Sequence, residues 1–453
     1  MEFEALVFCG DGRRLSPVAG ESMTKAMLPV ANKPLLAHTL EWCEKAMFKK
    51  ITLVCTPMSI REITAYVELQ PGSRSIPIEI AEFASTTGET LACLASKIDS
   101  DFVVLPCDFI TDLDPEQLLS VHRASDIKNL VTGFYYRNTI ESIDTKKVLG
   151  PDVLLHTPFD KDGQAVLLDA YERQFVKDNK HLDVRMAMLW KFGNAVASTD
   201  LLYTSIYVCR RPVLDILSEA DEDASVAVEN KTVHKLMRNF ARRTWQHRKK
   251  LDTIAVAQLP ASACYIRANN LPAYLEANRH IMKVRARDMA KSGTAAAPAA
   301  KEKGAALVGN DSLVGDESAL GAKSSVKRSV IGSNCTIGTK CRITGCVVLD
   351  GTTISNDVVL ENCIIGRAAV IRDRVRLTSC EVEGGYEVPS GFEAKNDVLK
   401  GLSMSGLDDE EYENLYESLS EDEDDGDADE GSSDADEIEE EEYDAEDDFF
   451  DRG

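Results

Sequence analysis

The sequence predicts an α/β protein in which a doubly wound domain precedes a left-handed parallel β-helix and a disordered acidic tail. Three observations lead to this prediction. Short apolar runs alternate with helix-like patterns over the first 110 residues. Aliphatic residues then recur at six-residue spacing in the segment from 311 to 402. From residue 403 onward the chain is dominated by acidic residues.

The first domain is predicted to span residues 1–280. It begins with an apolar run at 5–9 that ends in a glycine-rich turn. Further strands are predicted at 51–55, 76–83, 102–105 and 202–208, with helices near 36–47 and 228–243. Alternation of this kind favours a Rossmann-like, doubly wound sheet with its ligand site at the carboxyl ends of the strands.

The second domain shows a hexapeptide repeat. Residues 281–310, which precede this domain, include a stretch rich in Ala, Gly, Lys and Pro. This composition predicts a flexible linker. Ile331, Ile337, Ile343 and Leu349 are each six residues apart, and positions 359, 365, 371 and 377 repeat this spacing after a slip. A coil with three flat sides turns one aliphatic side chain inward per side, so the spacing predicts a left-handed β-helix at 311–402.

The charge of the chain is concentrated in its tail. Of 76 acidic and 51 basic residues, 26 acidic residues and one basic residue lie between 407 and 453, which leaves the rest balanced at 50 of each. A balanced body argues against direct nucleic-acid binding, which usually needs a basic surface. The tail at 403–453 is predicted to be disordered and to serve either as a solubilising segment or as an arm for a basic partner.

The cysteines and the apolar runs indicate the compartment. The twelve cysteines are scattered singly, without a C-x-x-C pair, which predicts small buried side chains in a reducing environment and no zinc site. The N-terminus shows no secretory signal, and no apolar run reaches the roughly 20 residues that span a bilayer. We therefore expect a cytosolic protein without membrane contact.

The most informative motif follows the first strand. It reads FCGDGRRLSP at residues 8–17, and TKAMLPVANKPLL follows at residues 24–36. Glycines after a strand let backbone N–H groups approach phosphate oxygens, and Arg14 and Lys25 could neutralise a triphosphate. Gly10, Gly12, Arg14 and Lys25 are therefore candidate nucleotide-binding residues, although we favour a structural explanation, positive φ in the turn, for the two glycines.

On these residues the sequence resembles the sugar-phosphate nucleotidyltransferase family. Combined with the hexapeptide coil, it is similar to GDP-mannose pyrophosphorylases and to the gamma and epsilon subunits of eukaryotic initiation factor 2B. The resemblance covers roughly residues 1–400 and places the metal-binding aspartate of the enzymes at Asp108. One carboxylate makes a thin metal site, and a strand-ending Asp is more often a turn or cap, so we predict no bound metal.

Several departures from the enzymes predict a vestigial pocket without catalytic residues. Cys9 replaces the first of two adjacent glycines, and Thr24 and Ala26 replace the prolines on either side of Lys25. The sugar-contacting Asn-Ala-Gly segment of the enzymes aligns with residues 203–205, which read YTS here. A Glu-Lys-Pro motif is missing from the sequence.

The resemblance implies a non-catalytic regulatory or scaffold subunit of initiation factor 2B, the complex that exchanges GDP for GTP on initiation factor 2. The implied partners are the epsilon subunit, the remaining subunits and initiation factor 2, with GTP or another nucleotide as a weak ligand and no cofactor. In epsilon a catalytic helical-repeat domain follows the coil, whereas an acidic tail follows it here. Two alternatives stay open: an active pyrophosphorylase-like enzyme, and an inactive regulator that senses a nucleotide sugar.

Overall fold

A computed structural model describes most of residues 2–401: 2–10, 12, 15, 18, 23–69, 76–83, 86–140, 142–143, 145, 149–218, 228, 231–246, 252–292, 306–309 and 311–401. The predicted acidic tail, 403–453, and Arg14 lie outside the described residues.

The first part of the chain alternates strands and helices. Its strands are β1 (Phe3–Cys9), β2 (Pro29–Val30), β3 (Lys33–Pro34), β4 (Ile51–Cys55), β5 (Ile78–Glu82), β6 (Asp101–Pro106), β7 (Phe109–Thr111), β8 (Asn129–Tyr136), β9 (Val153–His156), β10 (Gln164–Tyr171), β11 (Val196–Ser198), β12 (Leu202–Cys209), β13 (Thr253–Gln258) and β14 (Tyr265–Arg267). Its helices are α1 (Leu35–Ala46), α2 (Ile60–Glu68), α3 (Thr87–Leu94), α4 (Pro115–Ala124), α5 (Arg173–Asn179), α6 (Met186–Lys191), α7 (Pro212–Ser218), α8 (Val233–Gln246) and α9 (Leu271–Ser292).

Ten strands form one mixed sheet in the order β11-β9-β10-β13-β8-β12-β6-β1-β4-β5. The segment β6-β1-β4-β5 is parallel, and β12 joins it antiparallel to β6. Side chains alternate across β1: Ala5 and Val7 face a core covered by α1, α2 and α4, whereas Leu6 faces one covered by α3, α7 and α8. Helices on both faces confirm the predicted doubly wound domain.

The predicted strands at 5–9, 51–55, 102–105 and 202–208 correspond to β1, β4, β6 and β12. The helix predicted at 228–243 begins later, at Val233, and extends to Gln246. No helix among the described residues is long and apolar enough to cross a membrane.

The second part is a coil of short parallel strands. They are β15 (Leu307–Val308), β16 (Leu313–Val314), β17 (Ala319–Leu320), β18 (Ser325–Lys327), β19 (Val330–Ile331), β20 (Thr336–Ile337), β21 (Arg342–Thr344), β22 (Val347–Val348), β23 (Thr353–Ile354), β24 (Val359–Glu361), β25 (Ile364–Ile365), β26 (Val370–Ile371), β27 (Arg376–Thr378), β28 (Glu381–Val382), β29 (Glu387–Val388), β30 (Glu393–Lys395) and β31 (Val398–Leu399). They stack into three parallel sheets of six, six and five strands. The predicted left-handed β-helix is confirmed.

The repeat differs from the prediction in one detail. Val330 pairs with Val347, so one turn contains 17 residues rather than three equal sides of six. The short side places Val348 in the coil interior, whereas Leu349 packs against the first domain, and Leu360 rather than Val359 lies inside. A residue with positive φ stands at each of the three corners of a turn, as at Lys340, Gly345 and Gly351, and each series recurs at 17-residue intervals. The step from Lys340 to Gly345 is five residues and the step from Gly345 to Gly351 is six, so the shorter side ends at Gly345.

The coil packs against the first domain. Val347, Leu349 and Ile364 belong to the same apolar cluster as Leu15 and other residues of the first domain. Helix α9 continues to Ser292 and β15 begins at Leu307, so parts of the predicted linker, 281–310, are helix and strand. The domain boundaries 1–280, 281–310 and 311–402 stay predictions.

Candidate functional site

An open cleft of about 570 Å³ lies at the carboxyl ends of β1 and β6, as expected for a doubly wound sheet. Its lining includes three of the predicted residues that follow β1 and the aspartate that follows β6. The lining residues used below are Gly10, Gly12, Lys25, Asp108, Tyr203, Ser205, Tyr207, His234 and Arg267. The structure thus brings Gly10, Gly12, Lys25 and Asp108 together, while Arg14 lies outside the described residues.

Gly12 is required by its geometry. Its φ is +72°, and a Cβ added there would lie 2.7 Å from the Cβ of Lys25. The turn therefore needs glycine both for its backbone conformation and for the close approach of Lys25. Gly10 does not have a positive φ, and no described atom lies within 4 Å of a Cβ placed there. The structural explanation from the sequence thus applies to Gly12 and not to Gly10.

Lys25 lies in a short 3-10 turn that is held against α2. The backbone N–H and the hydroxyl of Thr24 both donate to Glu62 Oε2, at 3.2 and 2.8 Å. This tether directs Lys25 toward the end of β6, where its Nζ is 2.5 Å from Asp108 Oδ2. The predicted cation and the predicted carboxylate therefore form an ion pair with each other.

Asp108 has a second cationic partner. The Nε of Arg267 donates to Asp108 Oδ1 at 3.2 Å, and the Asp108 side chain is only 1% exposed. Burial by itself raises the pKa of Asp108, but the charges of Arg267 and Lys25 outweigh it and lower the pKa to about 2. The carboxylate is thus ionised at neutral pH and neutralised by two protein cations.

Arg267 is a charged residue of the cleft that the sequence did not predict. It reaches the cleft because β14 pairs antiparallel with β7, and the N–H of Ala268 donates to the Asp108 carbonyl at 2.7 Å. Its guanidinium also donates to Ser205 Oγ at 2.6 Å and lies 5.8 Å from the ring centre of Tyr203. Burial lowers the pKa of Arg267, but the Asp108 carboxylate raises it above its usual value overall.

The segment at residues 203–205 forms an irregularity in β12. The pairing of β12 with β8 shifts between Tyr203 and Tyr207. Within it, Thr204 Oγ1 donates to the Phe134 carbonyl at 2.8 Å, and Ser205 has a φ of +62°. A left-handed serine costs about 1 kcal/mol relative to glycine, which this conformation favours. The Ser205 hydroxyl oxygen accepts the hydrogen bond from the Arg267 guanidinium.

The far wall of the cleft is aromatic. The His234 ring stacks on Tyr203 at a centroid distance of 4.6 Å, and its Nδ1 lies 2.9 Å from the Tyr207 hydroxyl. Burial lowers the pKa of His234 to about 4, so this imidazole is neutral at pH 7. Beyond it lies a second hollow of about 570 Å³, bordered by Asp152, Arg173 and other residues.

The residues present do not fit a magnesium site. Among the described residues that line the first cleft, Asp108 is the only carboxylate, and both its oxygens contact cations. Mg²⁺ prefers several oxygen ligands and would have to displace Lys25 and Arg267. Throughout the described part of the chain, no group of three or more His, Cys, Asp or Glu side chains could hold a metal ion.

Comparison with known families gives two matches. A nucleotidyl transferase family model matches residues 6–142, and a model of the EIF2B subunit epsilon LbH domain matches residues 297–392. These matches agree with the two folded parts of the structure. The fold class predicted from the sequence is therefore confirmed by the structure and by the family models.

Comparison with curated proteins extends the similarity along the chain. The translation initiation factor eIF2B subunit gamma of Schizosaccharomyces pombe is 27% identical over 438 residues, 90% of this chain and 92% of the relative. The subunit of the same name from Dictyostelium discoideum is 23% identical over 238 residues, 49% of this chain and 53% of the relative. The bifunctional protein GlmU of Methanococcus maripaludis is 30% identical over 128 residues, 28% of this chain and 30% of the relative. The resemblance predicted from the sequence is confirmed.

Proposed function

We propose, taking this similarity as the premise, that the chain is a gamma-type subunit of translation initiation factor 2B. In this role it is a regulatory and scaffold subunit of a complex that exchanges GDP for GTP on initiation factor 2. It pairs with an epsilon-type subunit and helps to bind the substrate factor, without supplying catalytic groups itself. We place it in the cytosol.

The extent of the similarity is the observation that carries the proposal. The gamma subunit of Schizosaccharomyces pombe matches 90% of the chain, whereas the bifunctional protein GlmU of Methanococcus maripaludis matches 28%. The epsilon β-helix model also matches the coil. The similarity to a translation factor subunit therefore extends over both folded parts of the chain, and for this reason we favour it over an active pyrophosphorylase.

The geometry of the cleft supports a non-catalytic role. Asp108, at the metal position of the related enzymes, is held between Lys25 and Arg267. Lys25 is thereby engaged by the protein, although it would have to meet a substrate phosphate during nucleotidyl transfer. Ser205 stands where the enzymes have glycine, and its side chain occupies space at the wall of the cleft. We infer that the site is degenerate.

A second candidate function rests on the cleft itself. A hollow of about 570 Å³ lies beside Lys25, and Gly10 lines it with no described atom within 4 Å of a Cβ placed there. A nucleotide or nucleotide sugar could bind there weakly and regulate the complex. Such a ligand would compete with Asp108 for Lys25 and Arg267, so we expect it to bind less tightly than in an enzyme.

Affinity purification tests the proposed assembly. The tagged chain is isolated from its own cell extract at moderate salt, and every co-purifying protein is identified. The proposal predicts an epsilon-type chain and the subunits of initiation factor 2 in the eluate. Recovery of the chain alone, or only with copies of itself, would contradict the proposal.

A pyrophosphorylase assay tests the absence of catalysis. The purified chain is incubated with GTP, mannose 1-phosphate and Mg²⁺, and pyrophosphate release is measured beside an active GDP-mannose pyrophosphorylase. We expect no release above the enzyme-free background. Turnover comparable to that of the control enzyme would establish the alternative function.

A further inference from the structure

A groove of about 480 Å³ lies between helix α9 and the coil, away from the cleft described above. It is bordered on the helix side by residues of α9 and on the coil side by corner residues of the first turns. The lining residues used here are Glu276, Arg279, Met282, Lys283, Ala286, Arg287, Asp311 and Arg328.

The acidic groups of the groove are already engaged. Arg279 donates to Glu276 Oε1 at 2.5 Å and reaches across to the Gly345 carbonyl at 3.2 Å. On the opposite wall, Asp311 Oδ1 accepts the backbone N–H of Arg328 at 3.1 Å. These contacts tie the helix to the coil and fix the corner that carries Arg328. Each wall of the groove is therefore held by a hydrogen bond to one of its carboxylates, Glu276 on the helix and Asp311 on the coil.

Three exposed cations remain on its rim. Lys283 and Arg287 lie on α9, and Arg328 lies on the coil corner with a φ of +49°. Among the described residues, none of the three forms an ion pair, whereas Glu276 and Asp311 are committed to other donors. The described lining thus carries four cationic side chains against two carboxylates, Glu276 and Asp311, which is an excess of two positive charges.

The spacing of these cations fits an extended chain. Lys283 and Arg287 are four residues apart and lie along one face of α9, where they span about 6 Å at a rise of about 1.5 Å per residue. An extended peptide covers that distance with about two residues. Beside these cations, Met282 is only 6% exposed, and Met282 and Ala286 line the groove as an apolar floor.

We propose that this groove binds an acidic peptide segment of a partner protein. Carboxylates of the segment pair with Lys283, Arg287 and Arg328, and one aliphatic or aromatic side chain rests on Met282. Charge complementarity favours this partner, and the apolar floor favours a peptide over a simple polyanion. The proposal does not depend on the proposed function, because it rests on residues outside the cleft.

Fluorescence anisotropy with the full chain tests it. The probe is a rhodamine-labelled hexapeptide of Glu and Asp with one central Phe, at about 50 mM salt so that screening is limited. The reference peptide has Gln and Asn in place of the acids. We expect saturable binding of the acidic peptide, weakened by added salt, and no binding of the neutral one.

A pair of matched variants locates the binding site. K283E/R287E/R328E reverses the three cations of the groove, and R285E/K323E/R342E reverses three exposed cations outside its lining. Arg328 and Lys323 both occupy left-handed corners, so the backbone effect is matched as well. We expect the groove variant to lose about tenfold or more in affinity, and the control to stay within about twofold. Thermal unfolding of both variants verifies that they fold.

Other outcomes would overturn the proposal. Equal loss in both variants would mean non-specific attraction to net charge. Equal binding of the neutral peptide would remove the role of the carboxylates. Displacement of the acidic peptide by inorganic phosphate or by a short single-stranded RNA at lower concentration than unlabelled peptide would assign the groove to phosphate groups instead. Absence of any saturable binding would reject an acidic peptide.

Discussion

Asp108 is almost completely buried and still carries a negative charge. Burial of a lone carboxylate is unfavourable, because water no longer solvates the ionised form. Lys25 and Arg267 compensate by contacting both oxygens, and they lower the pKa to about 2. The same two cations would otherwise be available to a bound polyphosphate. The ion pairs of Asp108 with Lys25 and Arg267 therefore stabilise the fold, and they also engage the two cations that could otherwise bind phosphate groups in the cleft.

Replacement of Asp108 tests this contact. Asp108→Asn leaves Lys25 and Arg267 partly buried without a counter-charge, so the free energy of unfolding should fall by about 2–4 kcal/mol at pH 7. Urea unfolding measures the difference. Asp152→Asn is the control: burial raises the pKa of Asp152, so removal of its charge should cost little. A smaller loss for Asp108→Asn than for the control would contradict the stabilising role.

The pH dependence of the same contact has a definite sign. The pKa of Asp108 falls from 3.8 to about 2 on folding, so the carboxylate stabilises the protein above pH 4, and this contribution is lost as the pH falls toward 2. The difference in unfolding free energy between the wild type and Asp108→Asn should therefore be constant from about pH 5 to 7 and shrink between about pH 4 and 2. A difference that grows on acidification would contradict this assignment.

At the scale of single residues, the sequence predicted two of the three charged residues in this cluster. Lys25 follows from the motif after β1, and Asp108 follows from the resemblance to the nucleotidyltransferase enzymes. Arg267 could not be found in the same way, because it is 159 positions from Asp108 and reaches it through the pairing of β14 with β7. Long-range pairing of short strands leaves no local pattern in the sequence. Arg14, Gly10 and the other nucleotide-binding assignments remain predictions.

In the short strands of the coil, neighbouring side chains point alternately into the coil and out to its surface. In β23 the Ile354 side chain points inward and is 1% exposed, while the neighbouring Thr353 is exposed on the outside. The inward series forms a continuous apolar core along the coil. Each turn therefore depends on the turns above and below it, as is typical of repeat folds.

The different environments of Ile354 and Thr353 predict that substitutions at the two positions change the stability by very different amounts. Ile354→Ala should lower the free energy of unfolding by about 2–5 kcal/mol, because it leaves a cavity in the coil core. Thr353→Ala should change it by less than about 0.5 kcal/mol. Chemical unfolding followed by circular dichroism measures both. Equal effects of the two substitutions would mean that the inward assignment of Ile354 is wrong.

The six-residue spacing of aliphatic residues predicted the coil correctly but assigned some side chains to the wrong side of its wall. The six-residue spacing was sufficient to predict a β-helix. It assigned Leu349 to the interior, because residues 347–349 are three consecutive aliphatics, and spacing alone cannot tell which of them points inward. The shorter side comes from a five-residue step between two left-handed corners, Lys340 and Gly345, and the sequence does not mark such corners, because non-glycine residues such as Asn362 also adopt this conformation.

In the whole molecule, the coil supports the first domain beside the cleft. Leu15 and Val18, which belong to the segment after β1, are fully buried in the cluster that contains Val347 and Ile364 of the coil. Arg279 adds hydrogen bonds from α9 to the Gly345 carbonyl and to Asn362. Leu15 and Val18 are thus enclosed by residues of the first domain and of the coil, so changes in the coil should affect the first domain.

Substitution at this contact should destabilise both parts together. Ile364 faces outward from the coil but is only 3% exposed, because the first domain covers it. Ile364→Ala should lower the free energy of unfolding by about 2–4 kcal/mol, and Val359→Ala, on an uncovered side, by less than about 1 kcal/mol. Urea unfolding compares them. Similar losses for both substitutions would contradict the docking of the coil.

The proposed function is tested most directly by guanine-nucleotide exchange. Release of labelled GDP from initiation factor 2 is measured with the epsilon-type subunit alone, with this chain alone, and with both. We predict no release by this chain alone and a several-fold faster release by the pair than by epsilon alone. Exchange by this chain alone, or no acceleration of the epsilon-type subunit, would contradict a regulatory, non-catalytic subunit.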